Sequence, residues 1–477
     1  MAEVTALAGW PPEVLAYAFA KYSRSPLSIR KSIQTITAEK SREFLEDFYF
    51  QYGHSSIADN AHISLALENI SEIAAFALED EQLWDGQERS TRYQNFDKSG
   101  YFIPASVRRT PLESLYVQDA DFLLKQYAFF SARCFEQLIK TTPRPTDMKQ
   151  DAYERTIRAR AFDVARYWLF NGMLTSVGQI TSARTLEGQI SRLMSSEYPE
   201  LRELGQKMKE ACIGEPFCPE GKNEPPVAPT LVKYTAPNSF QTTLRNDMQK
   251  EAMRLLSWGS RMKSEQYVKL APFLRLEDEI ISTLLYEASH YPYHEIISLV
   301  YSMNKKKRER IIELALSHQG THDPLPRAFA AGYKIQFDVV MDRGGERDLH
   351  RHRNCIQIHQ NLSVERGWEV PPLVLEMELA EVYNSGMAQA GKTVRELRRE
   401  IGVDADYLLP FGYRSATLYK THLAQAAYMI KLRSKPQGHF SYRKVVCQMY
   451  DQLVGRFPFL KDCIRVTPFA DSHLLTR

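Results

Sequence analysis

Two stretches of this chain alternate apolar and polar positions with a period of two. Ile63, Leu65 and Leu67 alternate with Ser64, Ala66 and Glu68, while Tyr333, Ile335, Phe337, Val339 and Met341 alternate with Lys334, Gln336, Asp338 and Asp342. Successive side chains of a strand point to opposite faces, so each run predicts a strand with one buried face. A helix-like run precedes each strand. Residues 44–52 (FLEDFYFQY) lead into Gly53 and His54, and residues 311–319 (IIELALSHQ) lead into Gly320, Thr321 and His322. Short helix candidates follow at residues 71–83 and 344–353, and longer ones at 181–194 and 422–433.

The same order of elements in both halves predicts a duplicated unit. Superposing the later helices with Arg192 on Arg433 places Arg184 opposite Gln425. Between the halves, residues 212–237 are rich in Pro and Gly and lack helical periodicity, which reads as a connector or a long ordered loop. The expected organisation is a first repeat at 1–211, a connector at 212–237 and a second repeat at 238–477, in a helix-rich α+β fold with a small sheet in each repeat. At 477 residues, two domains are the natural expectation.

Hydrophobic residues at 44% and charged residues at 25% are ordinary globular values, so a packed core is expected. A net charge of +3 is too small for wholesale duplex nucleic-acid binding. The run Lys305, Lys306, Lys307 and Arg308 reads as a solvated helix end. No signal-like N-terminus and no apolar run of membrane length occurs, which predicts a cytoplasmic protein without a membrane partner. The six cysteines form no CxxC pair and are expected as free thiols.

Candidate chemistry concentrates at Leu349, His350, Arg351, His352 and Arg353. Two arginines offer planar, permanently charged forks for phosphate oxygens, and the histidine between them offers a ring nitrogen to a polar edge. A solvated basic helix end is the plain alternative. A metal site from His350, His352 and His359 is a weaker one, because no acidic or cysteine ligand stands in a recognised spacing; no metal is expected. Cys355 reads as a small buried residue.

Here the chain resembles the flavin-dependent thymidylate synthases, which carry an Arg-His-Arg triplet followed by Ser, Asn and Ser-x-Arg-Tyr in a fixed frame behind an upstream histidine. The second half has the triplet as Arg351, His352 and Arg353, but Ile356 and Ile358 stand where Ser and Asn are expected, with Asn361, Ser363 and Arg366 as loose stand-ins for the rest. The first half is the mirror case. Asp80, Glu81 and Gln82 stand at the triplet, whereas Ser90, Thr91, Arg92 and Tyr93 fall in frame without a gap. Ser182, Ala183 and Arg184 are similar to the family's later Asn-Ala-Arg phosphate ligand. Residues 165–170 and 405–410 both resemble the family's Ala-Arg-x-x-Leu-Pro run, with proline only at Pro410.

The resemblance implies an FAD enzyme that methylates C5 of dUMP, with NADPH and methylene-tetrahydrofolate as co-substrates. It implies Ser90 and Arg92 as catalytic residues, and Ser90, Arg92, Tyr93 and Arg184 as contacts of the pyrimidine nucleotide. His54, His322, Arg351, His352 and Arg353 would hold the cofactor. The family's homotetramer would be imitated by a homodimer of this duplicated chain. Because each copy has lost part of the motif, a pseudoenzyme or scaffold that keeps nucleotide or flavin binding is the second reading.

Overall fold

The structure is a computed structural model that describes residues 5, 7, 9–23, 25, 28–33, 36–45, 55–219, 224–256, 265–470 and 475. Helices dominate, and two small sheets, one from each half of the sequence, give the helix-rich α+β class that the patterning predicts. The first sheet has three strands, β1 (His62–Ser71), β2 (Asp85–Glu88) and β3 (Leu174–Ser182), in the order β1-β3-β2. The second has four, β4 (Tyr267–Leu270), β5 (Ile335–Asp342), β6 (Ile356–His359) and β7 (Arg414–Thr421), in the order β4-β5-β7-β6 with every pairing antiparallel.

In β1 the predicted alternation appears as burial: Ile63 and Leu67 are buried and their neighbours Ser64 and Glu68 are exposed. Asn69, at φ 57°, takes the left-handed conformation that Asn tolerates better than most residues, and the alternation ends there, with Ile70 and Ser71 both buried.

The strand β5 departs from expectation, because all eight of its residues are buried. Its apolar face packs on Met429, Ile430, Val445 and Met449 of helices Leu423–Arg433 and Phe440–Arg456. Its polar face is covered too. Asp338 accepts from the Tyr286 hydroxyl at 3.0 Å, the Tyr267 hydroxyl at 3.0 Å and the Tyr293 backbone N–H at 2.9 Å. Those bonds offset the desolvation of a buried carboxylate, so polarity along this strand records hydrogen bonding rather than exposure.

The two halves share local detail as well as order. Ser71 caps helix Glu72–Glu79 by accepting Ala74 N–H at 3.1 Å, and Asp342 caps helix Arg343–His350 by accepting Gly345 N–H at 2.6 Å. Glu72 and Ile73 donate to the carbonyls of Met173 and Asn171, and Arg343 and Gly344 donate to those of Tyr413 and Phe411. In the later helices the caps are Ser182, accepting from Thr185, and His422, accepting from Gln425. The cap register therefore sets Thr185 opposite Gln425 and Arg184 opposite Ala424, one residue from the match made on Arg192 and Arg433.

The chain divides into two compact units built from discontinuous segments. The smaller comprises Met1–Asn69, Ala77–Glu88 and Ser176–Ser239. Within it, part of the Pro/Gly-rich segment is tied down: Glu13, buried, accepts the N–H groups of Thr230 and Leu231 at 2.8 and 2.6 Å. The larger comprises Ile70–Phe76, Arg89–Thr175 and Phe240–Arg477, and so combines segments of both repeats. There the two related runs pair reciprocally. Gly172 N–H donates to Tyr407 O and Gly412 N–H to Tyr167 O; Asn171 N–H donates to Leu409 O and Phe411 N–H to Leu169 O. Such mutual exchange between equivalent positions is the signature of a local two-fold.

Candidate functional site

The turn at 90–93 lies just beyond β2 and is organised by Ser90. Its hydroxyl accepts Arg92 N–H at 3.3 Å, and its carbonyl accepts the N–H groups of Tyr93 and Gln94 at 3.4 and 3.1 Å. A serine bonding its own backbone two residues on is a common turn device. The turn directs Arg92 inward and leaves Tyr93 65% exposed.

Arg92 meets Asp163, on helix Gln150–Ala165, through two parallel bonds of 2.5 and 2.8 Å. Its remaining donors reach Gln437 O at 3.1 Å and the Tyr442 hydroxyl at 3.4 Å. Burial alone would raise the Asp163 carboxyl, but Arg92, with Arg166 behind it, holds it below the usual carboxylate range. Arg160, one turn earlier, sits 3.5 Å from Asp163 and donates to the carbonyls of Pro436, Gln437 and Gly438. His439 accepts Ser441 N–H at its Nδ1, which leaves the proton on Nε2, 2.9 Å from Asp163 O. Burial, reinforced by Arg166, lowers His439 to about 3 and keeps it neutral.

Helix Arg343–His350 carries the second motif. Asp342 at its N-cap, raised to about 6 by burial, also accepts the Ser441 hydroxyl. Glu346 is gripped by Arg343 at 2.7 Å and by the hydroxyls of Ser415 and Thr417 on β7. Arg347 pairs with Glu72 at 2.8 Å and donates to the Thr91 hydroxyl at 3.3 Å, so the triplet helix and the 90–93 turn touch directly. Asp348 accepts from Arg166 at 3.1 Å. Burial would raise this carboxyl, yet Arg166, Arg92, Arg433 and Arg351 outweigh it and hold it well below the ordinary value.

Of the triplet itself, Arg351 caps the helix C-terminus and is half-buried, as is Arg353. His352 is buried, and its Nε2 accepts Arg433 Nε–H at 2.8 Å. Burial, then Arg433 and Arg353, push it down to about 3, so its imidazole is neutral. The Arg433 guanidinium lies 5.5 Å from the ring of Tyr442, the residue that also accepts from Arg92. Tyr442 therefore stands between the two motifs, and both belong to the larger unit. In the smaller unit Arg192, which the sequence superposition sets opposite Arg433, donates to Glu81, set opposite His352, at 3.0 Å.

The remaining sequence candidates lie elsewhere or outside the described residues. Arg184 is a 53% exposed side chain paired with Asp59 at 3.1 Å in the smaller unit. His322 sits in an exposed turn after helix Lys305–Leu316, and His54 lies outside the described residues. Lys305, Lys306 and Lys307 are exposed as expected, but Arg308 is buried against Asp278 because its guanidinium also satisfies the Val300 and Met303 carbonyls. Of the three histidines weighed as a metal site, His350 and His359 stand side by side, with ring nitrogens within 4.8 Å and ring centres 5.2 Å apart, whereas His352 does not join them. His350 faces Gln357 and Phe76 O, His352 faces Arg433, and His359 faces Glu346 and Thr417. Cys355 is buried, its thiol pushed up to about 12 and donating to His352 O. Asp163, Tyr442 and His439 escaped notice in the sequence because nothing local distinguishes them; Asp348 lay within the helix candidate at 344–353 and Arg166 within the run at 165–170.

The family model for "Thymidylate synthase complementing protein" matches residues 7–219 and again 280–459, most of the chain in two successive segments. The chain belongs to this family. The two matched segments fall in the two halves already seen as repeats, so it is a tandem, diverged member. Relatives of similar length include a "UPF0159 protein" of Chlamydia muridarum, 23% identical over 99% of this chain and 93% of that protein. Another is a UPF0159 protein of Thermoplasma acidophilum, 25% identical over 95% of each. Two structures of flavin-dependent thymidylate synthase ThyX from Helicobacter pylori, with FAD and dUMP, are 14% and 13% identical. They cover 42% and 47% of this chain and 89% and 96% of theirs, each with a TM-score of 0.26. Within the thymidylate synthase complementing family this chain departs at Ile356 and Ile358, which are buried on β6 and serve the core of the second sheet. Among the described residues, no helix is long and apolar enough to cross a membrane.

Proposed function

We propose that this chain holds FAD and a pyrimidine nucleotide at one composite site, formed by the 90–93 turn of the first repeat and the 351–353 triplet of the second. The observation that carries this reading is the meeting of the two motifs around Asp348 and Tyr442 within the larger unit. Five arginines, Arg92, Arg160, Arg166, Arg351 and Arg433, exert their charge on two aspartates, Asp163 and Asp348. Such a concentration of guanidinium groups suits a ligand with two or more phosphate charges.

The donor set fits the phosphate part of FAD better than its ring. Arg351 and Arg353 are half-buried forks suited to a pyrophosphate, whereas His352 has its Nε2 occupied by Arg433. When bound, FAD would supply the hydride for a reductive methylation at C5 of dUMP, with NADPH and methylene-tetrahydrofolate as co-substrates. The chain's own residues would bind and orient. Ser90, whose oxygen accepts from Arg92 N–H, would donate its hydroxyl to a uracil oxygen, and exposed Tyr93 would close over the base. Arg92, engaged by Asp163, Gln437 and Tyr442, would hold the turn in place rather than carry the phosphate alone.

That engagement of Arg92 favours a second reading, in which ligand binding persists without turnover. Incubating the full chain with FAD, NADPH, methylene-tetrahydrofolate and dUMP separates the two. Formation of dTMP supports the enzyme; retention of FAD and dUMP without dTMP supports the binding protein. Rejection of both ligands overturns the composite site. Assembly as a homodimer standing in for the family's tetramer belongs to the same proposal, and sedimentation of the purified chain tests it.

A further inference from the structure

A second site of opposite chemistry lies between helices Glu113–Thr141 and Ala380–Ile401 of the larger unit. On the first helix, Leu115, Gln118, Asp119, Phe122 and Gln126 recur at helical spacing, so one face fronts the groove. The groove holds about 700 Å³, within the range of small-molecule sites. Its lining includes two carboxylates, Asp119 and Glu381, several amides and hydroxyls, and no Lys, Arg or His among the described residues. Phosphates and carboxylates are therefore disfavoured here.

Asp119 is only 4% exposed. Its Oδ1 accepts the Thr393 hydroxyl at 3.1 Å, but its Oδ2 has no hydrogen-bond partner among the described residues, and neither has Oε1 of Gln126. A buried carboxylate oxygen left unpaired is costly, whereas a charged donor from a ligand would satisfy it. Two orphan acceptors one to two helical turns apart on the same face call for a donor-rich guest. Phe122, edge-on to buried Trp168 at 6.3 Å, supplies an apolar wall. Gly386 leaves room for the Trp168 ring behind this wall, since a Cβ there would lie 2.5 Å from that ring and 3.2 Å from Phe122.

We propose that this groove binds a small organic cation, its ammonium set against Asp119 and its apolar body against Phe122. The site is independent of the arginine-rich one, and its ligand class is complementary to a different charge.

The test is ligand-observed NMR on the full chain with three probes of one shape: benzylamine, benzyl alcohol and benzoate. Benzylamine should saturate a site and the other two should bind at least about tenfold more weakly, the share of affinity expected from a charged hydrogen bond. Asp119→Asn, which keeps an acceptor for Thr393, should weaken benzylamine by about tenfold or more. If Asp119→Asn fails to fold, as read by its thermal melt, Gln389→Lys serves, because it adds a competing cation to the exposed rim. Equal binding of all three probes, no binding of benzylamine, or unchanged benzylamine affinity in a folded variant overturns the proposal.

Discussion

Arg433 donates its Nε–H to Nε2 of His352 across 2.8 Å, and this bond fixes the imidazole as the neutral Nδ1–H tautomer. Burial is the larger reason that His352 is lowered to about 3, with the arginine's charge second. Replacing Arg433 by Leu removes the cation and the donor but leaves the ring buried. The His352 pKa should then rise, yet stay below its ordinary 6.5. A histidine NMR titration of the variant checks this, and an unmoved His352 would mean that the contact has no electrostatic weight.

Arg92 and Asp163 form a buried bidentate pair, with side chains 14% and 4% exposed. Arg92→Ala should destabilise the chain by roughly 3–5 kcal/mol, because it strands a buried carboxylate. Removing both charges in Arg92→Ala with Asp163→Ala should cost less than the sum of the two single changes. Arg92→Lys should rescue little, since an ammonium cannot reproduce the fork. Urea unfolding of the four proteins measures each term.

Acid sensitivity follows from three buried histidines. His290, His352 and His439 are each lowered to about 3 from 6.5, by burial first and then by neighbouring arginines. A depressed histidine pKa means that the unfolded chain takes up protons first, so stability falls as pH drops below 6.5. Asp119 and Asp342, raised to about 6 by burial, act oppositely: they stabilise most below their unfolded value of 3.8 and lose that contribution as pH rises through 6. Asp338 and Glu13, also raised by burial, oppose the histidines in the same way, while Asp163, Asp348 and Glu346, all held low, add to the acid loss as pH falls towards their unfolded values. Replacing His352 by Gln removes one of the three histidine uptakes, so from pH 6.5 to 4 the variant's thermal midpoint should fall less, or rise more, than the parent's; parallel curves contradict the assignment.

Much of the fold was legible because it rests on local pattern. The strand-to-helix order follows from spacing, and the in-frame motif at Ser90 from the resemblance to the family's pattern. The charge partners were not legible, since Arg92 and Tyr442 are 350 residues apart in sequence and meet only through packing. Polarity on β5 misled for a related reason: Gln336 and Asp338 alternate as solvent-facing residues would, but the tyrosines of another helix pair cover them. Ser90, which the resemblance implies as a catalytic residue, has a local bond that any turn serine could make.

Helix Ala380–Ile401 tolerates little at Gly391, where an added Cβ would lie 2.0 Å from the Tyr413 hydroxyl. That hydroxyl is committed to Met387 O at 2.7 Å. Gly391→Ala should cost roughly 1–3 kcal/mol through overpacking, despite the better helix propensity of alanine. Pairing it with Tyr413→Phe, which removes the offending oxygen, should restore part of the loss in the same unfolding experiment.

The composite site is tested most directly by titrating FAD into the full chain and following the flavin's visible absorbance, for the parent protein and for Arg351→Ala with Arg353→Ala. Saturable binding that the double replacement weakens by about tenfold or more, as loss of two arginine forks implies, is the expected result. No binding to the parent, or equal binding to a folded double variant, would contradict a flavin site at the triplet.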